Sequence, residues 1–318
     1  MTRILFIAPD YYGFNEVVYN GLTKYSNCEV VNVNSTLPYK YKNFKERVHN
    51  FLLKVFNKQN LKIKKKIEHL RNTIHQYDSY DLLIVNRPDT VGDEELALAI
   101  RLAKRSVCLF WDSMDKIPSQ KKYLTQFDRY FSFDSQDCNH YGFEEVTNFY
   151  FAEKHKISDH TWDVALLMTY DNRIHSAIKI FEYFNHNNIK AKAKIFTYKS
   201  NPIQEKLPEN MEVIHDIIPF RDSYTYYLDS KIILDLAHPN QTGLSFRPFE
   251  AMGLEKKLIT TNHSIQNFDF FNAANIHIID NPNFISISND FLESPYHPIL
   301  ANIQDKYYLK NWIKAIIS

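Results

Sequence analysis

Short apolar runs alternate along the chain with segments whose apolar positions recur every three or four residues. In the first half, Arg3–Ala8, Glu29–Val33, Asp81–Asn86, Val107–Trp111 and Arg129–Phe133 are bounded by polar or turn residues and read as strands. Helical spacing falls between them, near Glu16–Tyr25 and over Glu94–Lys104. A further strand near Val146–Tyr150 is expected to end this half. The pattern restarts at Trp162–Thr169, followed by an amphipathic helix over Arg173–Asn185 with Ile174, Ala177, Ile178 and Phe181 on one face. Lys194–Thr197, Glu212–His215, Ile232–Leu236, Leu258–Thr261 and His277–Ile279 supply the remaining strands, and Gln304–Ile317 reads as a final helix. Strand–helix alternation of this kind predicts an α/β chain with parallel sheets.

The restart divides the pattern in two. At 318 residues the chain is long enough for two such domains, each with its own core. The polar, aperiodic stretch 152–161 is the expected boundary, giving an N-terminal domain 1–155 and a second domain 156–302, with 303–318 as a closing helix. Two Rossmann-like domains would face each other across a cleft, with ligands at the carboxyl ends of the strands. Six glycines are too widely spaced for a dinucleotide-binding Gly-x-Gly-x-x-Gly or a Walker loop, which argues against a dehydrogenase or a P-loop kinase. Three cysteines, Cys28, Cys108 and Cys138, show no metal or redox spacing and suit a reducing cytosol. The apolar start is ended by Pro9, too early for a signal segment, and no run approaches the length needed to span a bilayer. A cytoplasmic location is expected, with peripheral attachment to the inner face of the cytoplasmic membrane as an extension of it.

That extension comes from residues 40–71, which hold eleven Lys or Arg against two Glu in a chain whose formal net charge is +1. Within them Phe44, Val48, Phe51, Leu52, Val55 and Phe56 form an apolar stripe at helical spacing, so 40–77 reads as a basic helical insertion. Two readings stand side by side. The stripe packs on the domain core with lysines in solvent, or it meets an anionic membrane surface. Nucleic acid is not an expected partner, because the charge is confined to one segment.

Residues 238–262 read as a loop, a helix and a strand in close succession, with Gly243 closing the loop. The first backbone N–H groups of such a helix lack partners and attract an anion. Arg247 and Glu250 are three residues apart and share a face. An Arg for phosphate and a Glu for ribose hydroxyls would suit a nucleoside diphosphate, whereas an ordinary βαβ unit with surface charges would need neither.

The run Gln-Thr-Gly-Leu-Ser-Phe-Arg-Pro-Phe-Glu-Ala (241–251) resembles the donor-sugar motif of GT-B glycosyltransferases, in particular the bacterial enzymes of capsule and lipopolysaccharide synthesis. In the large retaining families two glutamates stand seven residues apart. Glu250 matches the second, which holds the donor ribose, while Thr242 stands where the first would be, so the motif leaves the stereochemistry open. The resemblance implies two facing Rossmann-like domains and a nucleotide-sugar donor. It further implies a glycan or lipid-linked acceptor, and a last helix that crosses back to the N-terminal domain. No Asp-x-Asp pair is present, so a metal-independent enzyme is expected, with no cofactor.

Candidate donor-binding residues are therefore Arg247, Arg173 and Lys199 for phosphate, Glu250 for ribose, and His238, Gln241, Thr242 and Gly243 lining the loop. Arg173 and Lys199 could equally be solvated surface charges. Asp10 and Asp112 follow strands of the first half and are candidate general bases, or helix and turn caps. Gly13 shapes the loop beside Asp10 on the acceptor side. A catalytically silent assembly partner and a nucleotide-sugar epimerase of similar fold are the alternative readings.

Overall fold

In a computed structural model, residues 2–37, 39–57, 60–152, 160–238 and 243–318 are described. The first part runs β1 (Arg3–Ala8), α1 (Phe14–Tyr25), β2 (Glu29–Asn34), α2 (Phe44–Asn57), α3 (Leu61–Ile74), β3 (Leu82–Asn86), α4 (Asp93–Leu102), β4 (Ser106–Phe110), β5 (Arg129–Ser132), α5 (Ser135–Tyr141) and β6 (Glu144–Glu145). The second runs β7 (Trp162–Thr169), α6 (Ile174–His186), β8 (Ala191–Phe196), β9 (Met211–Ile214), α7 (Phe220–Ser223), β10 (Ser230–Asp235), α8 (Phe246–Gly253), β11 (Lys257–Thr260), β12 (Ile276–Ile278), α9 (Asn289–Glu293), α10 (Ala301–Lys306) and α11 (Leu309–Ile317).

Two six-stranded sheets result, ordered β2-β1-β3-β4-β5-β6 and β12-β11-β10-β7-β8-β9. The central strands pair in parallel, as their continuous apolar runs require. All of Ile4–Ala8 and Leu82–Asn86 is buried, because helices cover both faces. The strand order reverses between β1 and β3 in the first sheet and between β7 and β10 in the second. Such switch points open a crevice at the carboxyl ends of the strands.

By contacts the chain divides into one unit of residues 1–132, 137–144 and 316–318, and another of 133–136 and 145–315. The expected boundary stretch lies mostly in 153–159, outside the described residues. In the first unit, Leu5, Ile7, Val85, Cys108 and Phe110 meet Leu96 and Ile74 in one core. In the second, Val164, Leu166, Ile195 and Ile232 meet α6 through Ile174, Ala177, Ile180, Phe181 and Phe184. Ile178, expected on that face, stands at its margin.

Three expectations are corrected. Val146–Tyr150 is no strand. Only Tyr150 forms a bridge, its N–H donating to the Tyr307 carbonyl and its carbonyl accepting from Leu309 N–H. That same bridge breaks the expected single helix over Gln304–Ile317 into α10 and α11, because the Tyr307 carbonyl and the Leu309 N–H are spent on Tyr150. Finally, the apolar stripe of 40–71 does not pack on the domain core: Phe44, Val48, Phe51, Leu52, Val55 and Phe56 are all exposed. The chain's last residues belong to the first unit, where Arg105 donates to the Ile317 carbonyl and Arg129 to that of Ser318.

Candidate functional site

The carboxyl end of the second sheet collects most of the expected donor residues. Asp235 ends β10 buried, with Oδ1 accepting from the Ser245 hydroxyl at 2.8 Å and Oδ2 from that of Thr260 at 2.8 Å. Ser245 in turn caps α8, its Oγ accepting from the Arg247 N–H at 3.1 Å. A strand-end carboxylate thus fixes where the helix starts. Asn148 holds the Leu244 carbonyl at 2.8 Å just before it.

Two arginines cross the switch point in opposite directions. Arg173 follows β7 and donates to the carbonyl of Leu236, just past β10, at 2.9 Å. Arg247 follows β10 and donates to the carbonyl of Leu167, within β7, at 3.2 Å. Each is gripped by a carboxylate. Arg173 Nε meets Asp171 Oδ1 at 2.9 Å and its Nη2 meets Oδ2 at 2.6 Å, a bidentate fork. Burial pushes the Asp171 carboxyl up, but Arg173 outweighs it and the net shift is downward. Arg247 Nη1 meets Glu250 Oε2 at 2.9 Å, one helical turn on, with the guanidinium 5.8 Å from the Tyr227 ring centre. Burial works against the charge on Arg247, yet Tyr227 and Glu250 more than offset it and hold the group protonated.

Glu250, expected to hold the donor ribose, is buried and fully partnered. Its side chain is 3% exposed, against 23% for Arg247, and its other oxygen accepts from the Ser223 hydroxyl at 2.8 Å. The resemblance gave it the ribose. Here it is enclosed and pairs with Arg247, because α8 is buried on every face from Pro248 to Gly253.

His238 lies half-buried beyond β10 and adds a favourable charge to Asp171. Lys199 is exposed in the turn after β8, the strand that pairs with β7. Gln241 and Thr242 fall outside the described residues. Gly243 is required by close approach. A Cβ there would stand 2.3 Å from Cδ2 of the Phe133 ring and 2.5 Å from the Phe133 carbonyl oxygen. Asp171, Ser223 and Asp235 were not among the expected residues. Asp235 did carry a signal, as the one acid ending the run Ile-Ile-Leu-Asp.

In the first unit, Gly13 takes the left-handed conformation at φ 81°, preceded by Tyr12 at φ 57°, and so starts α1. Asp10, before this turn, has its carboxyl pushed up by partial burial and by the charge of Glu16, against a downward pull from the N–H groups of Asn15 and Glu16. Asp112 differs. It is tied to Lys116 at 2.6 Å and to Arg87 at 3.5 Å, and Arg87 is itself forked onto Asp89.

No family model matches the chain, and no curated protein matches it in sequence. Solved structures do match in fold. An alpha-glucosyltransferase, solved with UDP and a 13-mer DNA containing an A:G mismatch, aligns over 85% of this chain and 82% of its own at 11% identity, TM-score 0.54. The DNA-modifying beta-glucosyltransferase, solved with and without uridine diphosphoglucose, aligns over 99% and 98% at 12% identity, TM-score 0.52. A UDP-N-acetylglucosamine 2-epimerase aligns over 100% and 95% at 9% identity, TM-score 0.51. At these identities the likeness is one of fold: two Rossmann-like α/β parts of the GT-B kind, shared by glycosyltransferases and by an epimerase.

Proposed function

We propose that the chain is a metal-independent glycosyltransferase that moves a sugar from a nucleotide-activated donor to a hydroxyl of a bacterial surface glycan. The observation that carries this reading is the pair of carboxylate-braced arginines crossing the switch point of the second sheet. Bracing fixes each guanidinium before a ligand arrives, so little reorganisation accompanies charge development. Transfer breaks the bond from the sugar's anomeric carbon to phosphate oxygen and forms one to the acceptor oxygen. The nucleoside diphosphate leaves with the bonding pair, and its growing charge is what Arg173 and Arg247 would neutralise in place of a metal. The acceptor's proton goes to a carboxylate. Asp10 suits that step better than Asp112, because its raised affinity for a proton makes it the stronger base, whereas Asp112 is already engaged by Lys116 and Arg87. The motif at 241–251 supports a surface-glycan acceptor.

The solved epimerase of the same fold supplies the second reading. Thermal unfolding with UDP, GDP, CMP, dTDP and ADP tests both at the level of the donor. One nucleotide at about a hundred times its Kd should raise Tm by roughly 5 °C, with EDTA present and in Asp10→Asn alike, and the gain should shrink in Arg247→Lys. Product analysis then divides them. Sugar linked to acceptor, with the acid limb of the rate lost in Asp10→Asn, is the expected result; sugar isomerised without acceptor would establish the epimerase. No shift with any nucleotide would reject both and leave a silent assembly partner.

A further inference from the structure

A helix on the surface of a globular unit ordinarily turns its apolar stripe inward and its charges outward. α2 is inverted. Glu46, Asn50 and Leu53 are the residues it turns toward the protein, and polar bonds fix two of them there. Asn50 is buried, its Oδ1 accepting from Leu61 N–H at 2.7 Å at the start of α3 and its Nδ2 donating to the Tyr41 hydroxyl. Glu46 accepts from the Tyr39 hydroxyl and from Lys42 N–H. The opposite side carries Phe44, Val48, Phe51, Leu52, Val55 and Phe56, an arc of roughly 140° at about 100° per residue. Phe44 and Phe56 are each 76% exposed and Phe51 64%. At that spacing Arg47 and Lys54 border one edge of the stripe and His49 the other, with Lys45 inside the arc between Leu52 and Phe56. Ile63, with Lys62 and Lys64, extends the exposed mixture onto α3.

We propose that α2 docks the chain on an anionic lipid surface. It would lie in the plane of the interface, its three phenylalanines at the acyl boundary and its basic border among the headgroups. Charge selects this occupant. A second copy would bring two basic borders together, eleven Lys and Arg against two Glu in residues 40–71 of each. Nucleic acid would answer the charge but leave six apolar side chains in water. An anionic bilayer satisfies both. At 14 residues, about 21 Å, α2 is an element for lying on a bilayer; among the described residues no helix is long and apolar enough to cross one. The proposal stands apart from the donor chemistry, which belongs to the other unit.

The test is flotation of the full chain with phosphatidylcholine vesicles and with vesicles carrying about a third phosphatidylglycerol. Wild type should float with the anionic vesicles and release as salt rises. The triple variant Phe44→Ser, Phe51→Ser, Phe56→Ser and the variant Arg47→Glu, Lys54→Glu should each bind at least ten-fold more weakly. All five substituted positions are exposed, so circular dichroism and the nucleotide-induced Tm gain should stay as in wild type. Equal binding by wild type and the serine variant would overturn the proposal. So would an absence of vesicle binding together with a wild-type dimer that the serine variant dissociates, or displacement of the chain to duplex DNA through the same residues.

Discussion

Arg247 and Glu250 act as one group, and their separation should be expensive. Removing Glu250 leaves a guanidinium mostly enclosed and the Ser223 hydroxyl without its acceptor. Breaking a buried pair by deleting one partner costs about 3–5 kcal/mol, whereas replacing both with apolar groups of like volume is often near neutral. Because Arg247 keeps a partly open face, the lower end applies. Glu250→Ala should therefore lose about 3 kcal/mol in urea unfolding, and Arg247→Met with Glu250→Leu should recover most of it while losing nucleotide binding. A Glu250→Ala protein as stable as wild type, but unable to bind nucleotide, would return the carboxylate to the ligand and remove its bracing role. Glu250→Gln separates shape from charge: it keeps the Ser223 contact and should fall between.

At the scale of elements, the loop before α8 is held by contact as much as by capping. Phe133 fills the space in front of Gly243, so even a methyl group there must displace a backbone carbonyl. Gly243→Ala should cost about 1–3 kcal/mol by overpacking and weaken nucleotide binding, since the shift passes directly to Ser245 and the helix start. Unchanged Tm and unchanged binding would show that the loop yields freely. This dependence on Phe133, 110 positions away, marks the limit of what local pattern discloses. The buried strands were legible because both faces are covered, which leaves unbroken apolar runs such as Ile4–Ala8 and Val164–Met168. The Arg247–Glu250 pair was legible because three-residue spacing on a helix is a local fact. The break between α10 and α11 was not, since it is imposed by Tyr150. Nor were Asp171 and Ser223 as the partners of expected residues, nor the inversion of α2, whose apolar pattern is the same whichever way the helix faces. Only the inward bonds of Asn50 and Glu46 decide that.

The molecule's stability should rise with pH across the acid range, because its perturbed carboxyl groups, Asp10 apart, are depressed in the folded chain. Lys104 holds the Asp81 carboxyl down; burial raises Asp269 and Asp163, but their lysine partners and other donors outweigh it. Each stabilises above the unfolded value near 3.9 and loses that contribution as pH falls through its own lower value. Burial likewise pushes His277 down, extending the loss upward to below about 6.5. Lys256 places one window on the alkaline side. Its ammonium is enclosed against the carbonyls of Leu228 and Ser230, and burial pushes it down to about 8. Unfolded, it releases its proton near 10.5. Between those values the unfolded chain binds more protons than the folded one, so stability contributed at this position climbs with pH and is flat below 8. Subtracting the urea-unfolding free energy of Lys256→Met from that of wild type isolates the term. The difference should grow by about 3 kcal/mol from pH 8 to 10.5. A flat difference would mean that the two carbonyls hold the ammonium charged throughout, and that hydrogen bonding, not desolvation, governs Lys256.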